Sequence, residues 1–86
     1  GNATGCSILG GLYFFGERVK QDNFKAVELF KKACNGGEAS GCAFLGTLYR
    51  LGKGVKQSNK LALKYYGMAC DMKYDDGCKS YAEMKK

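Results

Sequence analysis

Five cysteines, Cys6, Cys34, Cys42, Cys70 and Cys78, are the residues of this chain best equipped for covalent chemistry. A thiolate can attack a carbon, ligate a metal or close a disulfide, and spacing discriminates among the three. Cys34 to Cys42 and Cys70 to Cys78 are each eight positions apart. Four-cysteine zinc sites use close pairs with about two to four residues between partners, so neither pair fits one. The Cys-x-x-Cys redox motif is absent as well. The spacing therefore reads as a disulfide framework, with free buried thiols as the alternative. Disulfides require an oxidising compartment such as the periplasm or the exterior. Cys6 is the odd one out. The same spacing places its partner eight residues earlier, ahead of Gly1, so the expectation is a fragment of a longer array with Cys6 unpaired.

Other reactive arrangements are missing. The chain has no histidine, which removes the commonest general base and the commonest zinc ligand. Ser7, Ser40, Ser58 and Ser80 are followed three residues later by Gly10, Ala43, Leu61 and Glu83, so no serine carries a Ser-x-x-Lys nucleophile motif. Asp75 and Asp76 are adjacent, which suits the positive start of a helix better than an acid/base pair. Gly52-Lys53-Gly54 lacks the upstream glycine and the Ser/Thr of a phosphate loop. Asn2-Ala3-Thr4 fits a glycosylation sequon. No catalytic residue, metal-ligand set or cofactor is expected.

The elements that position these residues follow from a repeat. Shifting the chain by 36 aligns residues 3–35 with 39–71 at 15 identities in 33 positions. Ala3, Gly5, Cys6, Leu9, Gly10, Leu12, Tyr13 and Gly16 return as Ala39, Gly41, Cys42, Leu45, Gly46, Leu48, Tyr49 and Gly52. Val19, Lys20, Gln21, Asn23, Ala26, Ala33 and Cys34 return as Val55, Lys56, Gln57, Asn59, Ala62, Ala69 and Cys70. A third copy starts at Gly77-Cys78. A period of this length, with apolar residues at three- and four-residue steps inside it, marks an all-α solenoid of stacked helix pairs.

The predicted helices are 3–15, 23–35, 39–51, 59–72 and 75–85. Gly16 and Gly52 stand where a left-handed C′ residue is favoured, and the second helices open after Asp22-Asn23 and Ser58-Asn59, all good N-cap types. Gly10 and Gly46, on the apolar face, are expected at a close helix approach. The apolar positions of the second helices include Val27, Phe30 and Ala33, then Leu63, Tyr66 and Ala69. Cys34 ends one helix and Cys42 opens the next, so a bridge between them would clamp antiparallel neighbours. The chain forms a single segment: repeat 1 over 3–38, repeat 2 over 39–74 and a C-terminal capping helix over 75–86.

The chain has 86 residues, 45% of them hydrophobic, a net charge of +6 and no apolar run near the roughly 20 residues of a transmembrane helix. No membrane insertion is expected. Five basic residues and no acidic one lie between Cys42 and Cys70, and Lys53, Lys56, Lys60 and Lys64 are placed on the outer side. An acidic partner, an anionic glycan or plain solubility accounts for this charge better than nucleic acid, which is not expected as a partner.

The motifs resemble the Sel1-like repeat, a relative of the tetratricopeptide repeat. The resemblance rests on Ala39, Leu45-Gly46-Thr47-Leu48-Tyr49, Gly52-Lys53-Gly54-Val55 and Leu61-Ala62. In the first unit Arg18 replaces the second loop glycine, while Lys25-Ala26 keeps the dipeptide. With cysteines eight apart, the chain resembles more closely the cysteine-rich Helicobacter branch of that family. The resemblance implies an α/α superhelix, one disulfide per repeat, a secreted or periplasmic address, and an adaptor that binds a protein or peptide. It also implies, as an alternative, a penicillin-binding protein with weak β-lactamase activity and a β-lactam or peptidoglycan-like ligand.

Three sets of equivalent positions differ between repeats: Ser7, Ala43 and Lys79; Gly11, Thr47 and Glu83; Phe14, Arg50 and Lys86. They share one stripe of the first helices, which line the concave side of tetratricopeptide-like stacks, and form the candidate partner surface. Ser80 replaces Ile8 and Phe44, and with Lys79, Glu83, Lys85 and Lys86 it reads as the polar outer face of a terminal cap. Ile8, Leu9, Leu12, Phe14 and Phe15 give the opposite end no such polarity. That edge, or Cys6, offers a route to a dimer.

Overall fold

The computed structural model describes residues 3–86, which leaves Asn2 of the glycosylation sequon outside the described residues. Five helices follow one another: α1 (Ala3–Phe15), α2 (Asn23–Asn35), α3 (Ala39–Leu51), α4 (Asn59–Asp71) and α5 (Asp75–Met84). Each packs against the next. In addition α1 touches α3 and α3 touches α5, whereas α2 and α4 do not meet. The first helices of the pairs are thus drawn together on one side while the second helices splay apart, and the α1–α3–α5 side is the inner side of the curve. Predicted and observed boundaries agree to within one residue. The differences fall at the C-terminal ends of α4 and α5, where Met72 and Lys85 serve as C-caps.

The repeated residues outside the helices explain the local structure. Lys25 N–H donates to Asp22 Oδ1 and Leu61 N–H donates to Ser58 Oγ, both at 3.1 Å, which satisfies one exposed donor at the start of each second helix. Gln21 Nε2 donates to the Phe14 carbonyl and to Asn23 Oδ1, and Gln57 Nε2 repeats this with Arg50 and Asn59. The recurring Gln-x-Asn therefore staples the end of a first helix to the start of the following second helix. In the loop between, φ is +75° at Gly54 and +66° at the equivalent Arg18, a left-handed conformation that an arginine adopts at a cost.

Close helix approach accounts for the glycine on the apolar face. A Cβ at Gly46 would stand 3.1 Å from the Ala62 carbonyl oxygen and from the Tyr66 ring, and one at Gly10 would stand 3.0 Å from the Phe30 ring. Around this contact Ala26, Val27, Phe30, Leu45 and Leu48 form the buried centre, with Phe30 and Phe44 stacked at 4.9 Å between ring centroids. A second cluster, Cys34, Cys42, Ala43 and Ala69, surrounds the first disulfide.

Both bridges are formed, Cys34–Cys42 and Cys70–Cys78, with Cα atoms 4.6 and 4.5 Å apart. Each joins the end of a second helix to the first turn of the next first helix. Cys6 is free and half-buried. The apolar edge at α1 is open: Leu9 is 40% exposed, whereas its equivalent Leu45, covered by α2, is fully buried. Ile8, Phe15 and Phe24 are exposed as well.

Candidate binding cleft

The inner side contains two seams between first helices, and they differ. In the seam between α1 and α3 the hydroxyl of Thr4 donates to Glu38 Oε1 at 2.8 Å and that of Ser40 to Glu38 Oε2 at 3.1 Å. Ser7 and Ser40 pair through their hydroxyl oxygens at 2.8 Å. The two hydroxyl bonds, that of Thr4 foremost, hold the Glu38 carboxyl below the usual carboxylate range. Thr4 and Ser7 of α1 thereby bridge the seam to Glu38 and Ser40.

Between α3 and α5 the equivalent of Glu38 is Tyr74, that of Ser40 is Asp76 and that of Phe44 is Ser80. Here a cleft of about 150 Å³ opens. Ala43, Phe44 and Thr47 line it from α3, Tyr66 from α4, and Tyr74, Asp76 and Ser80 from the start of α5. At its floor the Tyr66 hydroxyl lies 2.7 Å from Thr47 Oγ1 and accepts from Arg50 Nε at 3.3 Å. Ser80 also borders an adjoining hollow lined by Arg50, Glu83 and Met84. The two hollows make a continuous surface with a guanidinium on one wall and carboxylates on the other.

Of the stripe residues, Ala43, Thr47, Arg50 and Glu83 come together here. Ser7 and Ala43 are only 7% and 9% exposed: Ser7 is bonded to Ser40 of α3, and Ala43 packs with Cys34, Cys42 and Ala69. Ser7 is spent on the bond to Ser40, so it offers no hydroxyl to a partner. Gly11 and Phe14 are partly exposed, whereas Lys79 and Lys86 are exposed and line neither hollow. Ser80 and Glu83 face the seam towards α3, not the outer surface of a cap. The 36-residue register requires this, since position 80 is the position of Phe44. Phe44, Tyr66, Tyr74, Asp76 and Met84 were not among the candidate residues. Their signal in the sequence was the swap of Phe44 for Ser80.

Lys53, Lys56, Lys60 and Lys64 are all exposed, and Lys64 Nζ lies 5.5 Å from the Tyr65 ring centroid. Among the described residues no cluster of three His, Cys, Asp or Glu could hold a metal ion, and no helix is long and apolar enough to cross a membrane. The hydroxyl of Ser58 caps α4.

Comparison with known proteins agrees with this architecture. The Sel1 repeat family matches twice, over residues 3–38 and 39–74. The chain belongs to the Sel1 repeat family. Among solved structures it is similar to cysteine-rich protein B of Helicobacter pylori, at 38% identity and a TM-score of 0.84, covering 90% of this chain and 58% of that one. A protective antigen of uropathogenic Escherichia coli with the same repeat fold matches at 33% identity and a TM-score of 0.88, over 91% of this chain and 17% of that one. A Sel1 repeat protein from Oxalobacter formigenes, 24% identical, superposes with a TM-score of 0.93 over 96% of this chain and 34% of its own length, which bears on the fold alone. This chain therefore spans little more than half of the Helicobacter protein and less of the other two. No curated protein sequence matches it.

Proposed function

We propose that this segment is a disulfide-stapled scaffold that binds a protein or peptide partner along its inner side, between α3 and α5. The observation that carries this reading is the α3–α5 seam, which sets Arg50 opposite Glu83 beside a cleft walled by Phe44 and Tyr74, while Thr4–Glu38 and Ser7–Ser40 hydrogen bonds bridge the equivalent α1–α3 seam. An extended chain laid along α3 and α5 would meet donors on one wall and acceptors on the other, and apolar surface for a side chain between them. We also read the working compartment as oxidising and extracytoplasmic. Two structural disulfides and the likeness to the Helicobacter cysteine-rich protein support this. Residues 75–86 act in this reading as the wall of the cleft as well as the closing helix of the segment.

Selection of peptides from a random display library on the disulfide-intact protein tests the proposal. The selected peptides should lose about tenfold or more in affinity on Arg50→Glu or Glu83→Lys, the size of one charge-assisted contact. They should be unaffected by Lys60→Glu on the other side. Peptides that respond to Lys60→Glu and ignore both inner-side changes would refute it.

A further inference from the structure

The α3–α5 cleft has the place and size of an aromatic ring that the repeat supplies once and then omits. In the first pair of elements, Phe30 of α2 stacks with Phe44 of α3, ring centroids 4.9 Å apart and planes 10° from parallel. Thirty-six residues on, Phe30 becomes Tyr66 and Phe44 becomes Ser80. The backbone register is preserved: Gly77 stands against Ala69, Cys70 and Tyr66 as Gly41 stands against Ala33, Cys34 and Phe30, with matching distances. The helix at position 80 is therefore as near to α4 as the helix at position 44 is to α2. Replacing a phenyl by a hydroxyl removes most of the side chain's volume, and the cleft bordered by Ser80 and Tyr66 lies at that place.

The volume agrees with that origin, while Thr47, Asp76 and Ser80 make part of the lining polar. The cleft measures about 150 Å³, and an apolar cavity of about 150 Å³ accepts benzene in an unrelated protein. Tyr66 is only 2% exposed, so it forms a closed floor, and the accessible aromatic walls are the half-buried Phe44 and Tyr74. Tyr66 is also held in place by its bonds to Thr47 and Arg50, so the floor is preformed.

We propose that the cleft is a side-chain pocket for a phenylalanine of a bound peptide, whose ring lies between Phe44 and Tyr74 beside Ser80. The flanking peptide backbone runs past Arg50 and Glu83 in the adjoining hollow. This rests on the peptide-binding reading above and adds a specific side-chain preference to it.

The probes are the blocked pentapeptides Ala-Ala-Phe-Ala-Ala and its Leu and Ala counterparts, titrated into ¹⁵N-labelled disulfide-intact protein while amide shifts are followed. The expected result is saturable shifts at residues 43–50, 66 and 74–84, with the Phe peptide binding about tenfold tighter than the Ala peptide. Ser80→Phe should abolish that preference by filling the cleft from within, and should raise the melting temperature. Ser80→Leu plugs the cleft with a smaller side chain, and Ser80→Ala, which keeps it open, should bind like the parent. Equal binding of all three peptides overturns the proposal, as does a Phe preference that survives both plugging variants. Binding along α3 and α5 without a Phe preference overturns only this inference. Shifts confined to the Lys53–Lys64 side overturn the peptide-binding reading with it.

Discussion

The two disulfides have equal loops but unequal surroundings, so their removal should cost different amounts. Each closes a sequence separation of eight. The chain-entropy relation assigns such a loop about 2.5 kcal/mol of destabilisation of the unfolded state. For Cys70–Cys78, whose residues are half-buried, that entropic amount should be nearly all of the loss when both become alanine. Cys34 and Cys42 are 2% and 0% exposed and pack with Ala43 and Ala69. There alanine also forfeits two buried sulfurs, at about 0.8 kcal/mol each on the scale of a buried methylene. The Cys34→Ala/Cys42→Ala double variant should therefore lose about 4 kcal/mol, and Cys70→Ala/Cys78→Ala about 2.5 kcal/mol. For a domain of this size these correspond to falls in melting temperature of about 15–30 °C and 10–20 °C respectively. Urea denaturation followed by far-ultraviolet circular dichroism at 25 °C measures both free energies. Equal losses for the two pairs would refute the packing argument. Losses below about 1 kcal/mol for both would refute the role of the bridges as staples.

Other consequences follow from single positions. Arg18→Gly and Lys73→Gly remove left-handed strain (φ +66° and +69°) and should each stabilise by about 0.5–1 kcal/mol in the same denaturation assay, after the loss of chain stiffness in the unfolded state is counted. Gly46→Ala should destabilise by about 1–3 kcal/mol because its Cβ meets the Ala62 carbonyl and the Tyr66 ring. Gly11→Ala, with nothing within 4 Å of the added Cβ, should stabilise by up to about 1 kcal/mol. Glu38 has a lowered pKa in the folded protein, so its stabilising contribution is complete above the unfolded carboxyl pKa, about 4.3, and disappears as pH falls through the lower folded value. Glu38→Gln should therefore reduce stability at neutral pH and flatten the acid limb of a melting-temperature profile, with little effect once the parent carboxyl is protonated.

Much of the fold was legible because the repeat supplied two independent readings of each element. Leu9 and Leu45, Asp22 and Ser58, and Gly16 and Gly52 each marked the same place in a helix pair. Helix ends were set to within a residue, and the residual differences lie where last turns tighten. The cysteine spacing was informative for the same reason, since a turn between antiparallel helices brings positions 34 and 42 together.

The cleft was harder to read. Helical periodicity gives the direction in which a side chain leaves its helix, but it does not say how closely the next first helix approaches. Ser7 and Ala43 thus shared a direction with Arg50 and still ended up buried. In the sequence Ser80 reads as a polar replacement for Phe44 that suits a cap. Its consequence lies across the seam at Tyr66, in another helix, where the missing ring leaves a space. A void is a property of two facing surfaces, and only the assembled register reveals it.

The central claim is that the inner side between α3 and α5, and not the basic side bearing Lys53, Lys56, Lys60 and Lys64, receives the partner. Mapping amide shifts of the ¹⁵N-labelled protein on addition of a display-selected peptide tests it most directly. The largest shifts should fall at residues 43–50 and 76–84. Shifts concentrated at residues 53–64 would contradict it.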